Sequence, residues 1–185
     1  MNSFLDSFLR WLRIHKIKPY LPEGAILCDI GCGPHAQLLR DLSPYIKEGI
    51  GLDKKIPESK EGNITLKNIF VENKLPLESS SVNAVSLLAV LEHLLEPVEI
   101  LKEAKRILKP GGVLLITVPT KPNKYLGEFL AYRLHLIDEV EYRDHKRYYS
   151  KRLLSDHLNQ AGFDLSNAKM NYFELGMNLF AKVPI

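Results

Sequence analysis

Short apolar segments alternate with helix-like segments between residues 25 and 119, and this alternation limits the fold more than any other feature of the chain. The apolar segments have the length of β-strands and are hydrophobic on both faces. They read AILCDI, IGLD, ITLKN, VNAVSLLAV and GGVLLITVP. Strands that are apolar on both faces and separated by helices form a parallel sheet with helices on both sides. The sequence therefore predicts a doubly wound α/β fold whose ligands bind at the carboxyl ends of the strands.

The C-terminal part of the chain departs from this alternation. A predicted helix, SKRLLSDHLNQA, is closed by Gly162 and is followed by two predicted strands, KMNYFE and NLFAKV, with no helix between them. Parallel strands need a crossover connection, which is absent here, so these strands are expected to pair antiparallel. We therefore predict a mostly parallel, seven-stranded, Rossmann-like sheet with an antiparallel C-terminal edge.

At 185 residues the chain has the length of one domain. Residues 1–18 carry apolar side chains at helix spacing, which predicts an amphipathic N-terminal helix packed on a domain formed by residues 19–185. Residues 122–150 interrupt the strand and helix pattern and are interpreted as an insertion. No apolar run approaches the roughly 20 residues that a membrane span needs. Because no secretory signal is recognised either, we expect a cytoplasmic protein without a membrane span.

Two cysteines, Cys28 and Cys32, stand across a strand end and a glycine loop. No second pair completes a zinc site, and the expected location favours reduced thiols over a disulfide. The sequence therefore predicts no metal site.

Charge gives little support for a nucleic-acid partner. The net charge is +3, and phosphate-driven binding needs several basic residues gathered on one face. Residues 143–149 are basic and aromatic, which would suit stacking on RNA bases. Acidic neighbours dilute that charge, however, and we interpret the run as a solvated loop before a helix whose N-cap is Ser150. The predicted partner is a small molecule.

The most informative segment spans residues 26–35, where a buried strand ends in an acid and turns through two glycines into a predicted helix. Gly31 and Gly33 permit positive φ angles and a close approach of a ligand to the backbone. Together with Ala36 they also satisfy the dinucleotide-binding pattern G-x-G-x-x-A, and Asp53 follows at a distance suited to a ribose. The loop alone therefore leaves two cofactor classes open.

Asp29 separates the two classes on electrostatic grounds. A carboxylate at the end of the strand would repel a pyrophosphate, but it would attract the ammonium of a methionyl group beside a sulfonium. Pro34 removes one backbone N–H that a phosphate cradle would use, which points the same way. These residues favour a cationic cofactor.

At this level of detail the chain resembles the class I S-adenosylmethionine-dependent methyltransferases, in particular the group called type 11. The resemblance covers about two thirds of the chain, and its motifs occur in the order of the family. They stand at Cys28–Pro34, Gly51–Asp53, Leu75–Val82, Leu91–Leu94 and Ala104–Val113. Each motif is common alone, but five in order are specific.

The resemblance implies S-adenosylmethionine as cofactor and assigns residues to it by position. Asp29, Gly31 and Gly33 would line the methionyl end, and Asp53 would accept hydrogen bonds from both ribose hydroxyls. Backbone near Leu88 and Ala89 would meet the amino group. The family's acid for the adenine amino group is missing here, and Asn68 followed by Ile69 against the ring is the predicted substitute, with Glu72 as an alternative.

Two histidines are candidates for catalysis. His93 follows the fourth predicted strand, and it either acts on the acceptor as a base or orienting group, or caps its own turn. His145 lies in the insertion at 122–150, where the family builds its acceptor pocket, and the same alternatives apply. We predict that both histidines approach one cavity near the donor methyl group. Three tyrosines would supply its walls: Tyr125, Tyr132 and Tyr148.

The predicted function is therefore methyl transfer to a small-molecule acceptor that the sequence does not specify. One alternative is a catalytically silent domain of the same fold that binds a regulatory partner. A nicotinamide-dependent oxidoreductase is disfavoured by Asp29 and by the Lys-Pro-Gly-Gly turn before the fifth predicted strand.

Overall fold

A computed structural model describes residues 11–12, 14–71, 74–122 and 145–185. An eight-stranded sheet forms its centre. The strands are β1 (Ile26–Ile30), β2 (Glu48–Asp53), β3 (Ser59–Glu61), β4 (Ile64–Asn68), β5 (Val82–Leu88), β6 (Leu108–Pro119), β7 (Lys169–Phe173) and β8 (Asn178–Pro184). The helices are α1, whose described part includes residues 14–17, α2 (Gln37–Leu42), α3 (Pro97–Ile107) and α4 (Lys151–Gln160).

The strands lie side by side in the order β3-β4-β2-β1-β5-β6-β8-β7. The five strands from β4 to β6 are parallel. β8 runs antiparallel to β6, and β7 runs antiparallel to β8, so the predicted fold class is confirmed. β3, which the sequence did not predict, adds an eighth strand antiparallel to β4. Its sequence, SKE, has no apolar side chain, so no hydrophobic pattern indicated it.

Successive side chains of the central strands alternate between two hydrophobic cores, one on each face of the sheet. Leu27 packs with α1 and α2 on one face, whereas Cys28 packs with α3 and α4 on the other. Along β5, Ala84 packs in the same core as Leu27, and Val85 packs in the same core as Cys28. Both faces are covered, which explains why the strand sequences are apolar without interruption.

The predicted N-terminal helix falls partly outside the described residues, which exclude 1–10 and 13. In the described part, Ile14 and Ile17 are buried against the face that carries α2. Trp11, which the sequence pattern places on the apolar side, is 50% exposed. None of the described helices is long and apolar enough to cross a bilayer.

Two helix starts show how local residues set the elements. The Ser150 side chain accepts a hydrogen bond from the Leu153 amide at 3.2 Å, which confirms the predicted N-cap of α4. α2 begins at Gln37, because Ala36 directly before it has a φ of 43° in the left-handed region. A left-handed residue cannot continue a right-handed helix, so His35 belongs to the glycine loop.

The segment before β5 is held by one arginine of α3. The Arg106 guanidinium donates to the carbonyls of Leu77 at 2.8 Å and Leu75 at 3.1 Å. The Glu103 carboxylate, one turn earlier, accepts a hydrogen bond from the Arg106 guanidinium and another from the Leu75 amide at 2.8 Å. These contacts fix the register with which the chain enters β5, and so they position the residues that follow that strand.

Candidate active site

The loop between β1 and α2 lies at the point where the strand order reverses, since β1 pairs with β2 on one side and β5 on the other. Ligands of such sheets bind outside the carboxyl ends of these strands. Gly31 and Gly33 have φ angles of 74° and 70°. A Cβ built at Gly31 would lie 2.5 Å from Cγ2 of Val90, but no heavy atom of the described residues lies within 4 Å of one built at Gly33. The absence of a side chain at Gly31 thus allows Val90 to pack against the backbone, whereas the space beside Gly33 is open.

Asp29 lies at the carboxyl end of β1 and is only 3% exposed. Its Oδ1 accepts a hydrogen bond from the Ser86 hydroxyl of β5 at 2.6 Å. Burial raises the pKa of Asp29 to about 7, against the lowering effect of the Ser86 hydrogen bond, and the nearby Asp53 raises it further. The site therefore contains a buried acid that a nearby cation would help to ionise.

Asp53 ends β2, and its carboxylate is oriented by two backbone amides. Oδ2 accepts from Gly33 at 2.9 Å and Oδ1 accepts from Lys55 at 2.7 Å. Each oxygen keeps capacity for a further donor, because an ionised carboxylate has about four acceptor positions. The side chain is half-buried, so a ligand can reach it.

The chain leaves β5 through a strained residue. Ala89 has a φ of 56°, which a non-glycine residue seldom adopts. Its amide donates to the Thr117 carbonyl of β6 at 2.9 Å. An ammonium group can only donate, so the carbonyls of Leu88 and Ala89 could receive one here in addition to the Asp29 carboxylate.

Asn68, the last residue of β4, stabilises the turn after Asp53. Its Nδ2 donates to the carbonyls of Ile56 at 2.9 Å and Lys54 at 3.3 Å. Ile69 is half-buried against the core. The described contacts thus give the Asn68 amide nitrogen a structural role, which leaves its carbonyl oxygen for an adenine amino group.

His93 and His145 lie together at the carboxyl edge of the sheet. Their ring centroids are 4.9 Å apart with the planes at 65°, and both side chains are half-buried. The ring of Tyr148 meets that of His145 edge-on at 5.5 Å. Glu92 is buried beside them, and the ligand atoms of Glu92, His93 and His145 all lie within 4.8 Å of one another.

Hydrogen bonds hold the two segments that carry these side chains. The Lys146 amide donates to the Glu92 carbonyl at 2.9 Å, and its ammonium group donates to the His93 carbonyl. Arg147 donates to the carbonyls of Leu91 at 3.4 Å and Leu95 at 3.0 Å. The end of the insertion is thereby fixed against the turn that follows β5.

Comparison with known proteins assigns the family. A model of the methyltransferase domain matches residues 1–167. The chain belongs to the S-adenosylmethionine-dependent methyltransferase domain family.

Individual relatives agree with this assignment. A ubiquinone biosynthesis O-methyltransferase of Neisseria meningitidis is 26% identical over 198 residues, covering 94% of this chain and 82% of that protein. The chain spans less than half the length of several other curated relatives.

Two solved structures share the fold of this methyltransferase domain. One is a methyltransferase in complex with the Haloferax volcanii Trm112 methyltransferase activator, with a TM-score of 0.69 and 17% identity over 100% of this chain and 98% of that chain. The other is a methyltransferase of Archaeoglobus fulgidus, with a TM-score of 0.69 and 17% identity over 95% of this chain and 94% of that chain.

The residues of this methyltransferase domain fit S-adenosylmethionine. Asp53 has acceptor capacity for the two ribose hydroxyls, and the space beside Gly33 admits a ligand close to the backbone. Asp29 would supply a carboxylate for the positively charged methionyl end, which would favour its ionised form. A pyrophosphate here would be repelled by the carboxylates of Asp29 and Asp53 and would have few hydrogen-bond donors.

Sequence reasoning missed several groups of the site. Ser86 and Thr117 come into the site through sheet pairing, which no short motif reports, and Glu92 stands in the motif Leu91–Leu94 without having been assigned a role. Phe70 could have been noticed as an aromatic residue two positions after the end of β4, at the edge where ligands bind. It is 48% exposed, and the Lys54 ammonium lies 5.3 Å from its ring centroid. Of the tyrosines predicted to line the pocket, Tyr125 and Tyr132 lie outside the described residues, as does Glu72.

Proposed function

We propose that this methyltransferase domain transfers the methyl group to a small molecule bound beside His93 and His145. The observation that carries this proposal is the pairing of the two imidazoles, with centroids 4.9 Å apart, at the edge where the parallel strands end. One histidine follows β5 and the other lies near the end of the insertion at 122–150. The insertion is therefore proposed to form one side of the acceptor pocket.

The chemistry asks little of the protein. A lone pair of the acceptor attacks the methyl carbon, the carbon–sulfur bond breaks with its electron pair going to sulfur, and the acceptor loses its proton. Positioning supplies much of the rate, and a base contributes where the acceptor proton is weakly acidic. An imidazole suits that task near neutral pH. His93 and His145 are thus proposed to orient the acceptor and to receive its proton.

A small acceptor is favoured by the site and by one relative. Tyr148 and the two histidines combine apolar ring faces with polar tips, which suits a compact aromatic or hydroxylated molecule. The relative from Neisseria that matches most of this chain is an O-methyltransferase of ubiquinone biosynthesis. An oxygen acceptor on a small molecule is consequently the first class to test.

The test is a transfer assay with S-adenosylmethionine labelled in its methyl group. The full chain is incubated with the dialysable metabolite, RNA and protein fractions of a cell extract, and the Asp53→Ala variant serves as the blank. Label in the dialysable fraction is expected. Label only in RNA or protein would contradict the small-molecule acceptor, and cofactor binding without transfer to any fraction would favour a silent domain.

A further inference from the structure

We propose that Glu92, His93 and His145 bind a divalent metal ion of the zinc class. Their ligand atoms all lie within 4.8 Å of one another, although His145 comes from a segment distant in sequence. Glu92 is only 1% exposed, so its carboxyl group sits in a medium that strengthens electrostatic attraction. The sequence predicted no metal site because that prediction weighed only the two cysteines.

The kind of ligand selects the kind of metal. Two imidazole nitrogens and one carboxylate oxygen are typical of zinc and other first-row transition metals, whereas magnesium and calcium prefer sets made of oxygen alone. Lys146 and Arg147 add positive charge nearby, which opposes any divalent cation, so an ion here would depend on the strong bonds that imidazole forms with transition metals. Three protein ligands leave at least one position open, as in catalytic rather than structural zinc sites.

The distances require only a small adjustment. Zinc bonds to nitrogen and oxygen ligands are about 2.0–2.2 Å long, so two ligands of one tetrahedral ion lie about 3.3–3.6 Å apart. The observed span of 4.8 Å closes to this range when the half-buried imidazoles rotate by less than about an ångström at their tips.

The backbone that carries the ligands is already fixed. The Lys146 amide bonds the Glu92 carbonyl at 2.9 Å, and Arg147 bonds the carbonyls on either side of the turn. Tyr149, which is 1% exposed, places its hydroxyl 3.4 Å from the Leu91 carbonyl. Since the two segments are held without a metal, binding costs little backbone ordering.

A metal here would have a role that rests on the proposed function. Its open position would hold an oxygen of the acceptor and lower the pKa of that hydroxyl, as a zinc ion does for bound water. The two histidines would then act by holding the ion rather than by receiving the proton. Metal binding itself does not depend on methyl transfer, so it can be measured alone.

The test titrates the full chain, without a histidine tag, with Zn²⁺ by calorimetry and with Co²⁺ by its visible absorption. One ion per chain is expected. Loss of a residue that supports a metal ligand typically weakens metal binding by roughly 10- to 100-fold. Loss of a ligand itself should cost at least as much, so we expect His93→Ala and His145→Ala to bind Zn²⁺ at least about 10-fold more weakly than the parent. His15→Ala, which removes an exposed histidine far from the cluster in sequence, is the control and should bind as the parent does.

Thermal unfolding keeps the test valid if a variant is destabilised. Zn²⁺ should raise the Tm of the parent and of His15→Ala but not that of His145→Ala, because only a folded-state site stabilises the fold. No binding by the parent, or equal binding by His145→Ala, would overturn the metal site. Metal binding without methyl transfer would support the metal site and contradict the proposed function. Methyl transfer by a parent chain that binds no metal would support the proposed function and overturn the metal site.

Discussion

The Asp53 carboxylate accepts a hydrogen bond from the Gly33 amide, with an N···O distance of 2.9 Å. This bond joins the end of β2 to the glycine loop after β1, so the side chain that shapes the loop is also the one predicted to bind the ribose. Cofactor affinity and loop geometry are therefore coupled at Asp53.

Replacing Asp53 by Ala should weaken S-adenosylmethionine binding by about 2–3 kcal/mol, which is about 30- to 150-fold. The charged acceptor of two ribose hydroxyls is lost, and the Gly33 amide loses its partner. Calorimetric titration measures the change, and the Tm should stay within a few degrees because Asp53 is half-buried at the surface. Asp41→Ala, at an exposed position of α2, is the control; unchanged affinity of Asp53→Ala would refute the ribose role.

The affinity for S-adenosylmethionine should rise between pH 6 and pH 8. The pKa of Asp29 is about 7 without ligand, and a nearby cation favours the ionised form, so the bound state has the lower pKa. Below pH 7, binding of S-adenosylmethionine then releases a proton from Asp29. The affinity for the cofactor therefore falls by up to about tenfold for each unit by which the pH is lowered in that range. Calorimetry in two buffers of different ionisation enthalpy measures the number of protons released on binding.

Two variants sharpen this pH test. Asp29→Asn cannot ionise and should bind weakly with a flat profile. Ser86→Ala removes the hydrogen bond that lowers the pKa of Asp29, so its profile should move to higher pH. A parent profile that is already flat from pH 6 to pH 8 would show that Asp29 does not sense the cofactor.

Gly31→Ala and Gly33→Ala should differ although both glycines have positive φ. At Gly31 the new Cβ meets Val90 Cγ2 at 2.5 Å, so strain and overpacking together should cost about 2–4 kcal/mol of unfolding free energy. At Gly33 the space is open, so only the backbone cost of about 1–2 kcal/mol remains.

Denaturant unfolding measures both glycine variants, and the double variant Gly31→Ala, Val90→Ala should recover part of the loss. Gly33→Ala should instead lose cofactor affinity, because its methyl group points into the proposed ligand space. Equal stability losses for the two single variants would contradict this division of roles.

Replacing His93 or His145 by Ala should lower turnover while cofactor affinity stays within a few fold. Loss of a group that handles the acceptor proton typically costs about 10²- to 10⁴-fold in rate. Single-turnover transfer and cofactor titration separate the two effects, with His15→Ala as control. If both variants keep the parent rate, the histidines only stabilise the turn after β5.

The hydrophobic pattern of the chain was enough to predict the fold class. Strands such as VNAVSLLAV must be covered on both faces, and helices between them force parallel pairing. The order of the motifs was likewise enough to indicate a methyltransferase through resemblance to that family, and Asp29 before two glycines favoured a cationic cofactor on electrostatic grounds. These properties are local in sequence, so the sequence by itself determined them.

Other features depend on segments that meet only after folding. The polar strand β3 forms because β4 offers an edge, and α2 starts late because Ala36 turns left-handed. Ser86 reaches Asp29 through the pairing of β5 with β1. Glu92, His93 and His145 come within 4.8 Å only because backbone bonds hold the end of the insertion against the turn after β5. Such contacts result from long-range packing, which a linear pattern does not encode residue by residue, and so the tertiary structure alone decided them.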